Sequence, residues 1–185
     1  MYPGVYAKSQ PDKIAVIQAS TGATLTYRML DERSNQLAQL LFDAGLRPGD
    51  HIALFLENHL RYVEVVWACL RSGLYCTPIN RHLSASEAAY IVDNCDAQVL
   101  IASAALEQSV ELGQRSPRCS LKLSIGGAVE GFTDYELATA AKPTTPLAAE
   151  RLGVLMLYSS GTTGKPKGIL RPLPDRNVEL GSPPF

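Results

Sequence analysis

Tyr158-Ser-Ser-Gly-Thr-Thr-Gly-Lys-Pro-Lys-Gly168 is the stretch whose reading decides this chain. It packs two serines, two threonines, three glycines and two lysines into eleven residues, a density that points to one ligand chemistry. Glycines let the backbone curl until several N–H groups face one point. Hydroxyls add donors and lysines add positive charge, so the set suits a polyphosphate. The run before it, Leu152-Gly-Val-Leu-Met-Leu157, reads as a buried strand feeding the loop. The Walker A pattern is excluded. Ser159 stands where its first glycine belongs, and Pro166 follows Gly164-Lys165 where a hydroxyl residue is required. Proline has no N–H to give and no hydroxyl for magnesium. A flexible Ser/Gly linker would need neither Pro166-Lys167-Gly168 nor a strand in front.

The loop resembles the signature of the adenylate-forming enzymes: acyl-CoA synthetases, peptide-synthetase adenylation domains and luciferases. That pattern runs aromatic, small polar, Ser, Gly, Thr, Thr, Gly, any residue, Pro, Lys, Gly. Every position is met, with Lys165 in the variable slot.

With 185 residues the chain is long enough for one domain with a sizeable core and short for two. Hydrophobic residues make up 46% and charged residues 19%, as in a globular protein. Lys+Arg number 17 against Asp+Glu 18, so the charge balance favours neither nucleic acid nor an anionic membrane. No apolar run approaches the length of a membrane span, and Met1 to Lys8 lacks a signal peptide's apolar core. A cytoplasmic location is expected. Cys69, Cys76, Cys95 and Cys119 form no C-x-x-C pair, and no histidine sits at zinc-finger spacing. Cys69, among Val66, Trp67, Ala68 and Leu70, reads as a small core residue; a disulfide or metal role is the alternative. His51, His59 and His82 are scattered and read as surface or strand-edge residues. No catalytic residue and no metal ligand is assigned.

Strands and helices alternate along the chain. Ile14–Gln18 and Thr24–Thr26 read as a strand and a short returning strand. Thr26 can cap a helix that carries Leu30, Leu37, Leu40 and Leu41 on one side and stops at Gly45. Arg47-Pro-Gly-Asp50 is a turn before the strand His51–Leu56. Asn58 is a candidate cap for a helix with Tyr62, Val63, Val66, Trp67 and Leu70 in helical register, ending at Gly73. Tyr75–Ile79 is a strand. Ser84-Ala-Ser-Glu87 forms a capping box, with its helix reaching about Asp93. Gln98–Ala102 and Leu121–Ile125 are strands, with a short helix near Leu106–Leu112 between them and another opening at Thr133–Glu136. Lys142–Pro146 links to the strand that feeds the loop. This alternation predicts an α/β fold, a mainly parallel sheet flanked by helices.

The resemblance extends over roughly residues 10 to 170. Gln10–Ala15, Leu25–Tyr27, Leu30–Asn35, Gly45–Asp50, Gly73–Asn80 and Glu87–Ile91 look like the opening of an acyl-CoA synthetase. They persuade by their order, and each reads as an ordinary turn or core helix. The resemblance implies the N-terminal subdomain of an adenylate-forming large domain over residues 1–170. The proline-rich stretch 171–185 reads as a truncated tail. Two departures stand out. After the loop, Gly168-Ile-Leu-Arg-Pro-Leu-Pro-Asp175 replaces the apolar stretch, Thr-His pair and helix common in the family. The adenine and magnesium motif, the ribose aspartate, the hinge and the lysine that the family carries downstream do not occur in these residues.

What the resemblance implies is an ATP-dependent, AMP-forming acyl-CoA synthetase, an acid–thiol ligase in which a carboxylate attacks the α-phosphate and CoA then takes the acyl group. The alternatives are a piece of another adenylate-former, such as an amino-acid adenylation domain, or a non-catalytic product. The partners implied are ATP with magnesium, a carboxylic acid and CoA. Thr162 and Thr163 would donate hydroxyl bonds to the departing pyrophosphate, assisted by Ser159 and Ser160. Gly161 and Gly164 would let the backbone approach, and Lys167 would supply charge beside the stiff Pro166. Lys165 is expected to be solvated. Alone, the chain is expected to be inactive and to self-associate through exposed apolar surface.

Overall fold

His51–Phe55 and Val99–Ser103 are apolar on both faces, and such strands belong at the centre of a parallel sheet. The computed structural model, which describes residues 2–159 and 165–175, places them side by side. In chain order the elements are α1 (Pro3–Ser9), β1 (Ile14–Ile17), β2 (Thr24–Thr26), α2 (Tyr27–Asp43), β3 (His51–Phe55), α3 (Leu60–Arg71), β4 (Tyr75–Ile79) and α4 (Ala85–Asn94). They continue with β5 (Val99–Ser103), α5 (Ser109–Gln114), β6 (Leu121–Ile125), β7 (Thr133–Asp134), α6 (Tyr135–Ala140), β8 (Val154–Leu155), β9 (Leu157–Ser159) and β10 (Lys167–Ile169). Six strands form one parallel sheet in the order β7-β6-β5-β3-β4-β8. The chain is α/β, as expected. β1 and β2 form a separate antiparallel pair, and so do β9 and β10.

Alternation along each strand divides the core into two. Ile52, Leu54, Cys76, Val99, Ile101 and Leu123 face α2 and α3, joined there by Leu30, Leu37, Leu41 and Trp67. Ala53, Phe55, Ile79, Leu100 and Ala102 face α4, meeting Ala88, Ile91 and Val92. The caps are local. Thr26 Oγ1 accepts from the Met29 N–H at 3.3 Å, and Ser84 with Glu87 completes the expected capping box. Ser84 Oγ and the Ser84 N–H both donate to Glu87 Oε2, at 2.7 and 2.9 Å, and hold the Glu87 carboxyl below its ordinary value. Arg47–Asp50 is a turn closed by the Arg47 N–H on Asp50 Oδ2 at 2.7 Å.

Two expectations need correction, and one helix is not anticipated. Asn58 does not cap α3. His59 does, in extended conformation, with Nδ1 accepting from the Arg61 N–H at 3.1 Å. Pro3–Ser9 is a helix the sequence pattern does not announce. It has no side-chain cap and is held by contacts, among them Tyr6 stacked on Tyr27 at 4.9 Å. The strand expected over Leu152 to Tyr158 is broken. Val154 and Leu155 pair with β4 and the Met156 N–H reaches Cys76 O, after which the chain leaves the sheet as β9. Gly153 is what lets it enter. A Cβ there would lie 2.3 Å from Leu74 O and 2.6 Å from Cys69 O.

Among the described residues no helix is long and apolar enough to cross a membrane. All four cysteines are buried and free, which agrees with the core reading of Cys69.

Candidate active site

The two strands that bracket the motif form an antiparallel pair with Ser159 opposite Lys167, Tyr158 opposite Gly168 and Leu157 opposite Ile169. Ser159 and Lys167 are both exposed, and neither has a hydrogen-bond or ion-pair partner among the described residues. A hydroxyl donor and an ammonium thus stand side by side at the mouth of the hairpin. Both can donate to an anionic oxygen. Ser160, Gly161, Thr162, Thr163 and Gly164, the rest of the candidate phosphate site, lie outside the described residues.

The hairpin lies along α4. Tyr158 Oη donates to Asn94 Oδ1 at 2.7 Å. One helical turn earlier, the Tyr90 ring sits under the Lys165 ammonium, 5.2 Å from its centroid. Tyr90 Oη also lies 3.5 Å from Pro166 O, at the outer limit of a hydrogen bond. At the hairpin's far end, Tyr75 Oη donates to Arg171 O at 2.7 Å. Burial pushes the Tyr158 hydroxyl above its ordinary value, so it stays a neutral donor at physiological pH. Gly168 allows the packing, because a Cβ there would sit 2.9 Å from Tyr158 Cζ and 2.5 Å from Met156 Cε.

The two motif lysines are therefore unlike. Lys165, expected to be solvated, is seated on an aromatic face, while Lys167 points away with its charge uncommitted among the described residues. Tyr90 and Asn94 are the residues the sequence reading missed at this site. Their i, i+4 spacing on one face of a well-capped helix was the available signal.

Away from the hairpin, an apolar groove of about 560 Å³ lies between Leu41, Phe42, Leu46 and Leu147. Another, about 450 Å³, lies between the β1–β2 turn and the start of α3. A polar cleft of about 240 Å³ is lined by Arg33, Arg61, Glu64 and Tyr135. Among the described residues no group of three or more His, Cys, Asp or Glu is placed to hold a metal ion.

Comparison with known proteins gives the family and the fold. Residues 5–173 match the AMP-binding enzyme family. The chain is 32% identical over 170 residues to the fatty acid–[acyl-carrier-protein] ligase ScoC of Streptomyces coeruleorubidus, covering 89% of this chain and 31% of that protein. It is 31% identical over 169 residues to a feruloyl-CoA synthase of an Amycolatopsis species, covering 91% and 32%. The anthranilate CoA ligase AuaEII, solved in complex with anthranoyl-AMP, superposes with a TM-score of 0.78 at 27% identity over 91% of this chain and 34% of that one. The N-terminal domain of FACL13 from Mycobacterium tuberculosis shares the fold, with a TM-score of 0.78 at 21% identity over 92% of this chain and 43% of that one. The chain spans about a third of the length of the curated relatives it matches. It is homologous to acyl-CoA and fatty acid ligases over about a third of their length, and it belongs to the AMP-binding enzyme family.

Proposed function

We propose that this chain is the N-terminal part of an ATP-dependent, AMP-forming acyl-CoA synthetase. Residues 1–170 form the unit that ends in the phosphate loop, and 171–185 follow it as a proline-rich tail. The reaction joins a carboxylate to the α-phosphate of ATP with release of pyrophosphate, and a thiol then takes the acyl group. The observation that carries the reading is the exposed Ser159–Lys167 pair at the two ends of Ser160–Pro166, a run of two glycines and three hydroxyl residues followed by Lys165 and Pro166.

The contribution assigned to this chain is electrostatic. As pyrophosphate departs, charge grows on the β- and γ-phosphates. Donors placed in advance stabilise that charge best, since they need no reorganisation. Ser159, Ser160, Thr162 and Thr163 supply hydroxyl donors, Gly161 and Gly164 admit the phosphates to the backbone, and Lys167 supplies the cation. Within this chain the countercharge comes from Lys167 and the hydroxyl donors, and no residue is assigned to magnesium.

The likeness to a carrier-protein ligase favours a second reading of the thiol step, in which an acyl carrier protein replaces CoA. A cytoplasmic location is part of the proposal, supported by four free, buried thiols. Self-association is a further part, supported by exposed apolar residues on the hairpin.

The test uses these 185 residues with ATP, pyrophosphate and a panel of fatty and aromatic acids. Binding of ATP or pyrophosphate that weakens in Lys167→Ala is expected, without acid-dependent pyrophosphate release. The adenine, ribose and lysine motifs are absent from these residues, so turnover by them alone would refute the assigned division of labour. Failure to bind either ligand would refute the phosphate site.

A further inference from the structure

We infer that Tyr90 and Asn94 of α4 are positioning residues for the phosphate loop, seating the two strands that bracket it on one face of a rigid helix. The inference rests on the polyphosphate reading of the motif. Its evidence is separate and lies wholly outside residues 160–164.

A two-stranded antiparallel ribbon is marginal alone in water. β9 and β10 have three residues each, and the exposed sides of Leu157 and Ile169 show that one face of the ribbon is unsupported. Its order must come from what the other face touches. β4 and Met156 lie beneath part of the ribbon, and α4 reaches β9 and the residues that lead into β10. Asn94 Oδ1 accepts from Tyr158 Oη on β9 at 2.7 Å, and the Tyr90 ring holds the Lys165 ammonium just before β10. Tyr90 and Asn94 are four apart, so they stand on the same helical face one turn from each other. The helix itself is fixed. Its N-terminus carries the Ser84–Glu87 capping box, and Ala88, Ile91 and Val92 are buried against the sheet.

The two contacts act on different ends of the connection. Asn94 fixes the strand that delivers Ser159. Tyr90 takes up the charge of Lys165 and with it the segment that delivers Lys167. Seating Lys165 on the ring also separates the two ammonium groups in role. One is spent on docking the loop and the other is left for the ligand. Tyr158 completes the arrangement, because its ring lies over Gly168 of the opposite strand, so the Asn94 bond restrains both strands.

The experiment compares Tyr90→Leu, Tyr90→Phe, Asn94→Ala and Tyr158→Phe in the full 185-residue chain. Amide exchange of residues 157–159 and 167–169 reads the seating, and titration with inorganic pyrophosphate reads the ligand. Asn94 is exposed, while Tyr90 and Tyr158 are partly buried at the edge of the α4 core, which the exchange of β3 and β5 monitors. Tyr90→Leu and Asn94→Ala are each expected to speed hairpin exchange and weaken pyrophosphate about threefold to fivefold, while exchange in β3 and β5 is unchanged. Tyr90→Phe keeps the ring and is expected to retain both properties. Asn94→Ala and Tyr158→Phe remove the same bond, so combining them is expected to add nothing. Unchanged hairpin exchange in Tyr90→Leu and Asn94→Ala would overturn the inference. So would faster exchange with unaltered pyrophosphate affinity. If the unaltered chain bound no pyrophosphate, the polyphosphate reading would fall, and this role with it, whatever the exchange showed.

Discussion

The Arg71 guanidinium donates from Nε to Glu150 Oε1 at 2.6 Å, joining the end of α3 to the segment that leads into β8. Arg71 is buried to 1% exposure, and its other nitrogens reach Tyr2 Oη at 2.6 Å, Ser34 Oγ at 2.8 Å and Asp31 Oδ1 at 2.9 Å. Tyr2 Oη in turn donates a hydrogen bond to Glu150 Oε2 at 2.6 Å. One cation thus ties α1, α2, α3 and the run before β8. Arg71→Met would leave two carboxylates facing each other without a counter-charge. It is expected to destabilise the fold by about 3 kcal/mol in urea unfolding. Lysine at this position is not expected to rescue, since one ammonium cannot reproduce the fork.

Three positions on, the same segment threads between backbone carbonyls. Gly153→Ala would drive a methyl against Leu74 O and Cys69 O, neither of which can rotate away. A loss of about 3 kcal/mol is expected. Gly45→Ala is the control. Its backbone has φ of +98° with nothing within 4 Å of an added Cβ, so conformation alone sets a cost of about 1 kcal/mol. Equal losses at the two glycines would show that the crossing at Gly153 is not tight.

The legible parts of this fold were those written locally. Thr26 before an amphipathic run, Ser84 with Glu87, and the apolar stretches at His51 and Val99 each carry their own signal, and each forms the element it announces. The illegible parts depend on distant partners. Pro3–Ser9 is helical because Tyr27 and Trp67 receive its aromatic flank. Leu152 to Tyr158 looks like one strand, yet β4 offers it a partner only as far as Cys76. At the site, the motif names candidate donors. That Lys165 is docked and Lys167 is not depends on Tyr90, which lies 75 residues earlier in the chain than Lys165.

His51 supplies a pH dependence. Its ring stacks on Tyr75 at 4.5 Å at the start of the central strand, and burial lowers its pKa from 6.5. The folded state therefore binds this proton less readily than the unfolded chain. Stability from this source is complete above pH 6.5 and is lost as pH falls through that value toward the folded pKa. His51→Phe preserves the stack and should flatten the urea midpoint between about pH 5 and 7. A histidine titration by NMR with the His51 midpoint at or above 6.5 would contradict it.

Self-association is expected at the hairpin edge of the sheet. Leu157 and Ile169 are register partners, 49% and 50% exposed, and Leu170 beside them is 59% exposed. β8 next to them pairs with β4 on one side and ends the sheet order. An apolar patch on a sheet edge is a template for another chain. Light scattering should show concentration-dependent growth that Leu157→Lys and Ile169→Lys reduce. A clean monomer at high concentration would contradict this.

The two lysines of the motif give the last test, in a polypeptide that carries the complete adenylation reaction. Lys167 has no partner among the described residues and stands opposite Ser159, so its charge is available to the departing pyrophosphate. That charge grows toward the transition state, and a donor aimed at it acts on rate more than on ground-state binding. Lys167→Ala should slow single-turnover adenylate formation on the order of a hundredfold, about 3 kcal/mol, with little change in ATP affinity. Thr163→Ala should behave alike. Lys165→Ala removes only a cation–π contact, worth roughly 0.5–1 kcal/mol at an exposed site. Its effect should therefore be a few-fold and should vanish in a Tyr90→Leu background, where the seat is already gone. If Lys165 proved as costly as Lys167, the division of roles between docking and charge stabilisation would be wrong. If neither mattered, the motif would be a connection between two strands and nothing more.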